Sequence, residues 1–339
     1  MKRIGNQTVK LNHPVAILAS ASIAGQKEAE GPLSDYFDVT MADAEWNEET
    51  WEKTESKMQK EAVRLAVQKS NLSLSDMHYV FAGDLLNQCI GAGFGLRELN
   101  IPFFGIYGAC STMVEGLSLG SMLIDGGFAD HVAAVTSSHF CTAERQYRMP
   151  LEYGGQRTPT AQWTVTGAGS AVLSKHGSGP CVTHVTTGKI TDMGIKDANN
   201  MGGAMAPAAF ETLSAHFRDT GLSPADYDLI LTGDLGTVGR DILIDLMQKE
   251  GFDISDNYND CGCMIYDLER QDVHAGGSGC GCIASTLCGY ILTEMRRGTW
   301  RRILAIGTGA LLSTTSGLQG ESVPGIAHLV AIENKSEGE

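Results

Sequence analysis

The chain has 339 residues, 42% of them hydrophobic and 7% aromatic, and a net charge of −15 at pH 7. That balance excludes the basic stripe needed to bind a nucleic-acid backbone, and no apolar run approaches the ~18–20 residues that span a bilayer. Nine cysteines, an odd number scattered through a long chain, read as reduced thiols of an intracellular protein.

In chain order, Lys2 and Arg3 precede "PVAILASASIAG", which loosely imitates a secretion signal. Pro14 opens a short apolar run set apart from the charges, so a first core strand over 14–20 fits better. The segment 41–73 holds a helix with Met58, Ala62, Leu65, Ala66 and Lys69 at helical spacing. Strands are predicted over 79–86, 102–110, 131–139 and 167–175, with a helix over 112–124. The second part begins with a strand over 180–190, a helix over 207–219 and a strand over 227–236. An amphipathic helix over 239–251 stops at Gly251, and "CGCMIYD" (261–267) reads as a strand. A helix over 281–298 carries Arg296 and Arg297 in its last turn before Gly298. Strands over 301–310 and 327–333 complete the series. Such apolar runs joined by helices predict an α/β protein with a mostly parallel sheet covered on both faces. The weakly periodic segments 26–50 and 140–165 are expected to loop over the strand ends, where sites usually lie.

The two parts repeat. "YVFAGDL" at 79–85 matches "LILTGDL" at 229–235, and "HVAAVTSS" at 131–138 matches "RILAIGTG" at 302–309. "YGACSTM" and "HAGGSGC" hold comparable places in the order. A long internal repeat predicts two similar halves, 1–178 and 179–339, meeting at the turn-rich "KHGSGP" (175–180).

Cys110 ends an apolar strand and opens a helix. A helix N-terminus favours a thiolate, while burial as a structural cysteine is an equally common use of the residue. Asp84 and Asp234 hold matching places in the repeat; they line a pocket or cap helices, capping being the commoner role. The C-G-C pairs at 261/263 and 280/282 are spaced more tightly than zinc knuckles, so no metal site is expected.

Two such halves, "GACSTMVEGLSLG" in the first and "GGSGCGCIAST" in the second, resemble the thiolase fold and the ketoacyl synthases that start fatty-acid synthesis. The resemblance implies a five-layer αβαβα arrangement and a homodimer joined through one edge of the first half's sheet. In that family the cysteine takes an acyl group, and a histidine and an asparagine of the second half stabilise enolate and oxyanion. Here the histidine's turn reads "TGDLGTVG" (232–239) and holds Asp234, and the asparagine's turn reads "HAGGSGCG" (274–281), with Gly277 its equivalent and His274 nearby. An anionic carboxylate repels a developing oxyanion, so activity of the family type is not expected; acyl transfer on Cys110 remains the alternative.

At finer grain, "FAGDLLNQ" (81–88), "FFGIYGACSTM" (103–113), "SSHFCTAERQYR" (137–148) and "DVHAGGSGCGCIAST" (272–286) resemble a family of sporulation proteins of spore-forming bacteria. This resemblance implies binding of dipicolinic acid, pyridine-2,6-dicarboxylic acid, during its uptake into the developing spore. It also implies membrane-protein partners in a transport assembly and a peripheral place at the spore inner membrane, with no cofactor. Candidate ligand residues are Cys110, His139, Arg145, Asp234, His274 and Ser278, with Arg148 beside them. Helix N-termini after Cys110 and Ser278 add N–H donors. A pocket acid opposes a free dianion unless a cation such as Ca²⁺ bridges them.

Overall fold

The computed structural model describes residues 2–147 and 157–335. In the first half the strands are β1 (Thr8–Ala24), β2 (Val39–Thr40), β3 (Tyr79–Gly83), β4 (Phe103–Gly105), β5 (His131–Ser138), β6 (Trp163–Thr164) and β7 (Gly167–Ser174). The second contributes β8 (Gly179–Thr186), β9 (Leu229–Thr232), β10 (Tyr258–Asp260), β11 (Gly277–Ser278), β12 (Arg302–Ala310) and β13 (Gly325–Lys335). Between them run α1 (Gln26–Ala29), α2 (Trp51–Lys69), α3 (Ile90–Leu96), α4 (Thr112–Asp125), α5 (Phe140–Tyr147), α6 (Met201–Thr220) and α7 (Gly236–Lys249). After them come α8 (Cys261–Met264), α9 (Cys280–Ser285), α10 (Leu292–Arg297) and α11 (Thr314–Leu318).

The strands order as β4-β3-β5-β7-β1-β8-β13-β12-β9-β10, with β2 beside β1. The series is symmetric about its middle: β3 pairs in parallel with β4 and β5, as β9 does with β10 and β12. The repeat read from the sequence thus occupies equivalent strands, β3 with β9 and β5 with β12. Instead of two separate five-stranded sheets, the half-sheets join edge to edge. The first part of the long, irregular β1 pairs with β8 (Thr8↔Thr186), and its second part pairs with β7 (Ala24↔Gly167).

Strand alternation sorts the core into layers. Val80, Ala82, Ala133 and Val135 pack outward on Met58, Ala62 and Val63 of α2. Phe81, Val132 and Ala134 face inward, onto Val114 and Leu117 of α4 and Ile283 of α9. Leu229, Leu231, Ile303 and Ala305 reach the same central layer from the other half-sheet. Ile230, Leu304 and Ile306 instead meet Leu213 of α6 and Leu243 of α7. Helices, half-sheet, central helices, half-sheet, helices is the five-layer αβαβα order.

Two of the elements that differ from the sequence reading owe it to a helix cap. "CGCM" is helical because Asp260 caps it, its side chain accepting from Cys263 N–H at 3.2 Å. Helix α6 starts six residues before Pro207, because Asn200 caps Met201 and accepts from Gly203 N–H.

Candidate functional site at Cys110

Cys110 is held by a tight turn between β4 and α4. Ser111 Oγ donates to the Gly108 carbonyl (2.6 Å), Thr112 Oγ1 donates to the Ala109 carbonyl (2.6 Å), and Gly108 N–H donates to Thr112 Oγ1 (3.0 Å). Ala109 adopts φ +50°, an unusual conformation for a residue with a Cβ. Gly309 of β12 lies against this turn; a Cβ there would fall 2.4 Å from the Gly108 carbonyl oxygen. The turn therefore fixes where the thiol points.

The thiol is buried beside the Asp234 carboxylate and interacts with it. Asp234 is buried at the end of β9. Its Oδ1 accepts from Thr308 Oγ1 (2.7 Å) and its Oδ2 from Gly279 N–H (2.8 Å). Burial raises the Asp234 carboxyl to a pKa of about 7, against the pull of these donors. Burial first, and the Asp234 charge second, push the Cys110 thiol well above its ordinary range, so it stays protonated at neutral pH.

The matching Asp84 has a different task. Its carboxylate accepts from Leu86 N–H (2.8 Å) and Ala92 N–H (2.7 Å), tying down the start of α3. In the second half Asp260 holds the corresponding turn, accepting from Leu235 N–H (2.8 Å) and Gly236 N–H (3.0 Å). The capping role thus applies to Asp84, whereas Asp234 is left to face the cysteine.

Above the thiol is a small chamber of roughly 40 Å³. Its walls are largely apolar, from Leu85, Ala109, Ala143, Met201, Ala310 and Leu312. Ser278, Thr164, Glu144, Tyr107 and Tyr147 supply polar groups, with Thr164 Oγ1 donating to Glu144 Oε1 at 3.3 Å. Among the described residues the lining contains no lysine, arginine or histidine. No group of three or more histidine, cysteine or acidic side chains among them is placed to hold a metal ion.

Cys110, Asp234 and Ser278 therefore come together. His139 lines a separate recess with Lys27, Glu28 and Trp163. Its Nδ1 accepts from Cys141 N–H (3.2 Å) and its Nε2 lies 2.9 Å from the Ala44 carbonyl, while burial lowers its pKa. Arg145 pairs with Glu52 and lies over Trp51. His274 is engaged by the Thr158 carbonyl (2.7 Å) and Asp272 (3.1 Å). These three lie outside the chamber lining, and Arg148 lies outside the described residues. Glu144, Tyr147 and Ala143 were missed by sequence reasoning. Their i, i+1, i+4 spacing marks one helical face, hidden in a stretch read as loop.

Fold and site together define a protein of the thiolase fold in which the cysteine is present and an aspartate faces it. Solved condensing enzymes share this architecture. The 3-oxoacyl-[acyl-carrier-protein] synthase III of Aquifex aeolicus covers 94% of this chain and 99% of its own at TM-score 0.57 and 13% identity. OleA of Xanthomonas campestris, in its cerulenin-bound co-crystal, covers 94% and 96% at TM-score 0.61 and 14% identity. At such identities the likeness shows the fold alone. The family profile described as stage V sporulation protein AD (SpoVAD) matches residues 5–333. Stage V sporulation protein AD of Bacillus subtilis (strain 168) is 45% identical over 333 residues, covering 98% of each chain. This chain belongs to the stage V sporulation protein AD family.

Proposed function

We propose that this protein binds dipicolinic acid in spore formation, as a peripheral subunit working with the membrane proteins of a transport assembly. Membership of a sporulation family supports the setting. No helix among the described residues is long and apolar enough to cross a membrane, which suits peripheral attachment. The observation that carries a binding role is that Cys110, on the chamber wall, is buried beside the Asp234 carboxylate. Burial first, and the Asp234 charge second, keep the thiol protonated where a condensing enzyme needs a nucleophile, so the cysteine serves as wall.

Charge decides the form of the ligand. The described lining of the chamber carries the Glu144 carboxylate and no lysine, arginine or histidine, and a bound cation lets an acidic wall meet a dianion. The 1:1 calcium chelate of dipicolinate is neutral, and carboxylate and hydroxyl oxygens such as those of Glu144 and Ser278 suit Ca²⁺. Calcium is here part of the cargo. Calorimetry checks this with dipicolinate alone, dipicolinate with Ca²⁺, and pyridine with Ca²⁺ as control. Saturable heat only for the second is expected, weakened in Cys110→Ala through lost shape. Equal signals from dipicolinate and pyridine, or no binding in any arm, would overturn the reading. A stable acyl adduct on Cys110 after incubation with acyl-CoA would favour acyl transfer instead.

A further inference from the structure

A second cavity, of roughly 400 Å³, adjoins the chamber and shares Leu85, Tyr107, Tyr147 and Leu312 with it. The two spaces differ in chemistry. The inner one is mostly apolar; the outer one adds amides and hydroxyls, among them Asn87, Gln88, Gln146, Ser313 and Thr315, to its leucines. At the boundary the Tyr107 and Tyr147 hydroxyls lie 3.1 Å apart.

The direction of that contact follows from proton count. Tyr147 Oη donates its single proton to the Leu85 carbonyl at 2.6 Å. Tyr107 must therefore be the donor to Tyr147. Gln146 Nε2 donates to the same Leu85 carbonyl (2.8 Å), and Gln146 Oε1 accepts from Asn87 N–H (3.1 Å). Tyr147 thus belongs to a frame that ties α5 to residues 85–87. Tyr107 stands on the short link between β4 and the Cys110 turn and is 45% exposed.

We propose that Tyr107 and Tyr147 form a latched gate between the outer cavity and the Cys110 chamber, with Tyr147 as the fixed post and Tyr107 as the leaf that swings. One neutral hydrogen bond closes it, so it opens readily for a compact ligand. The fixed post sets the upper size of what reaches the thiol. The gate adds an access step to the chamber and does not depend on which ligand the chamber holds.

The test follows modification of Cys110 by peptide mass spectrometry. One reagent is small (methyl methanethiosulfonate) and one bulky (a pyrenyl maleimide); the ratio of their rates cancels changes in thiol acidity. Cys282 is fully buried and lines neither cavity, so its rate reports general loosening. Tyr107→Phe, which keeps the ring and removes the latch, is expected to raise both Cys110 rates roughly two- to tenfold, the equilibrium equivalent of one neutral hydrogen bond. Tyr147→Ala is expected to raise the bulky-to-small ratio with Cys282 unchanged. Unaltered rates in Tyr107→Phe, or Cys282 rising in step with Cys110 in both variants, would overturn the gate. No dipicolinate is used, so this result and the ligand assignment stand or fall separately.

Discussion

Asp234 ionises near neutral pH, and that gives Cys110 an unusual response to pH. Below pH 7 the carboxyl is protonated, and the thiolate fraction rises tenfold per unit as for any thiol. As Asp234 ionises, its charge raises the thiol further, and the gain per unit falls. Iodoacetamide modification of Cys110 is therefore expected to flatten between pH 7 and 8. In Asp234→Asn it should keep its full slope and run faster at pH 8, because the charge that raises the thiol is gone. Equal profiles for the two proteins would sink this account. Cys110 and Asp234 were legible in the sequence because the repeat places both at strand ends. Their contact was not, because it depends on which of two matching aspartates the neighbouring Asp260 releases from holding a turn. His139 was legible as a strand-end residue, but its ring turns to the Ala44 carbonyl, a contact 95 residues away in sequence.

At the scale of elements, α3 depends on a single acid. Asp84→Ala leaves the Leu86 and Ala92 N–H groups without their buried acceptor, which is expected to cost about 1–3 kcal/mol by urea denaturation. A loss under about 0.5 kcal/mol would show that water replaces the carboxylate. Strand β4 ends the sheet and carries Phe103 and Phe104 at 43% and 46% exposure, with Phe94 of α3 at 59%. An open edge with exposed aromatics is a pairing surface, and we propose that it joins two copies of the chain. Sedimentation is expected to give a dimer at micromolar concentration and a monomer for Phe103→Asp; a monomeric native protein rejects the pairing. The long apolar runs were legible as strands because burial on both faces leaves unbroken hydrophobic stretches. Short elements were not. "CGCM" has the length and composition of a strand, and only its aspartate cap makes it helical.

The whole molecule carries buried acids that work against stability at alkaline pH. Burial raises Glu28 and Asp234 to about 7, and burial together with Asp84 raises Glu55. The folded state therefore holds protons that the unfolded chain has lost, and stability declines as pH rises through these values. Buried neutral histidines act in the opposite sense. Burial lowers His216 to about 3 and His328 to about 4, so the unfolded chain takes up protons first as pH falls below 6.5. Below pH 6.5 the two sets oppose each other, and above it only the acids act, so the melting temperature is expected to decline from pH 6.5 toward pH 8. Glu28→Gln, which keeps an oxygen for Tyr266, should flatten that decline; a melting temperature rising from pH 6.5 to 8 would contradict it.

The strand shared between the half-sheets has one more consequence, for how the chain can be divided. Cutting between β7 and β8 would part the Thr8↔Thr186 ladder and bare α4, which packs on both half-sheets. It would also separate Cys110 from Asp234. Expressed alone, each fragment is expected to be insoluble or molten. Produced together, the two should reassemble and regain the guarded thiol, so a split version of this protein would report on its own reassembly.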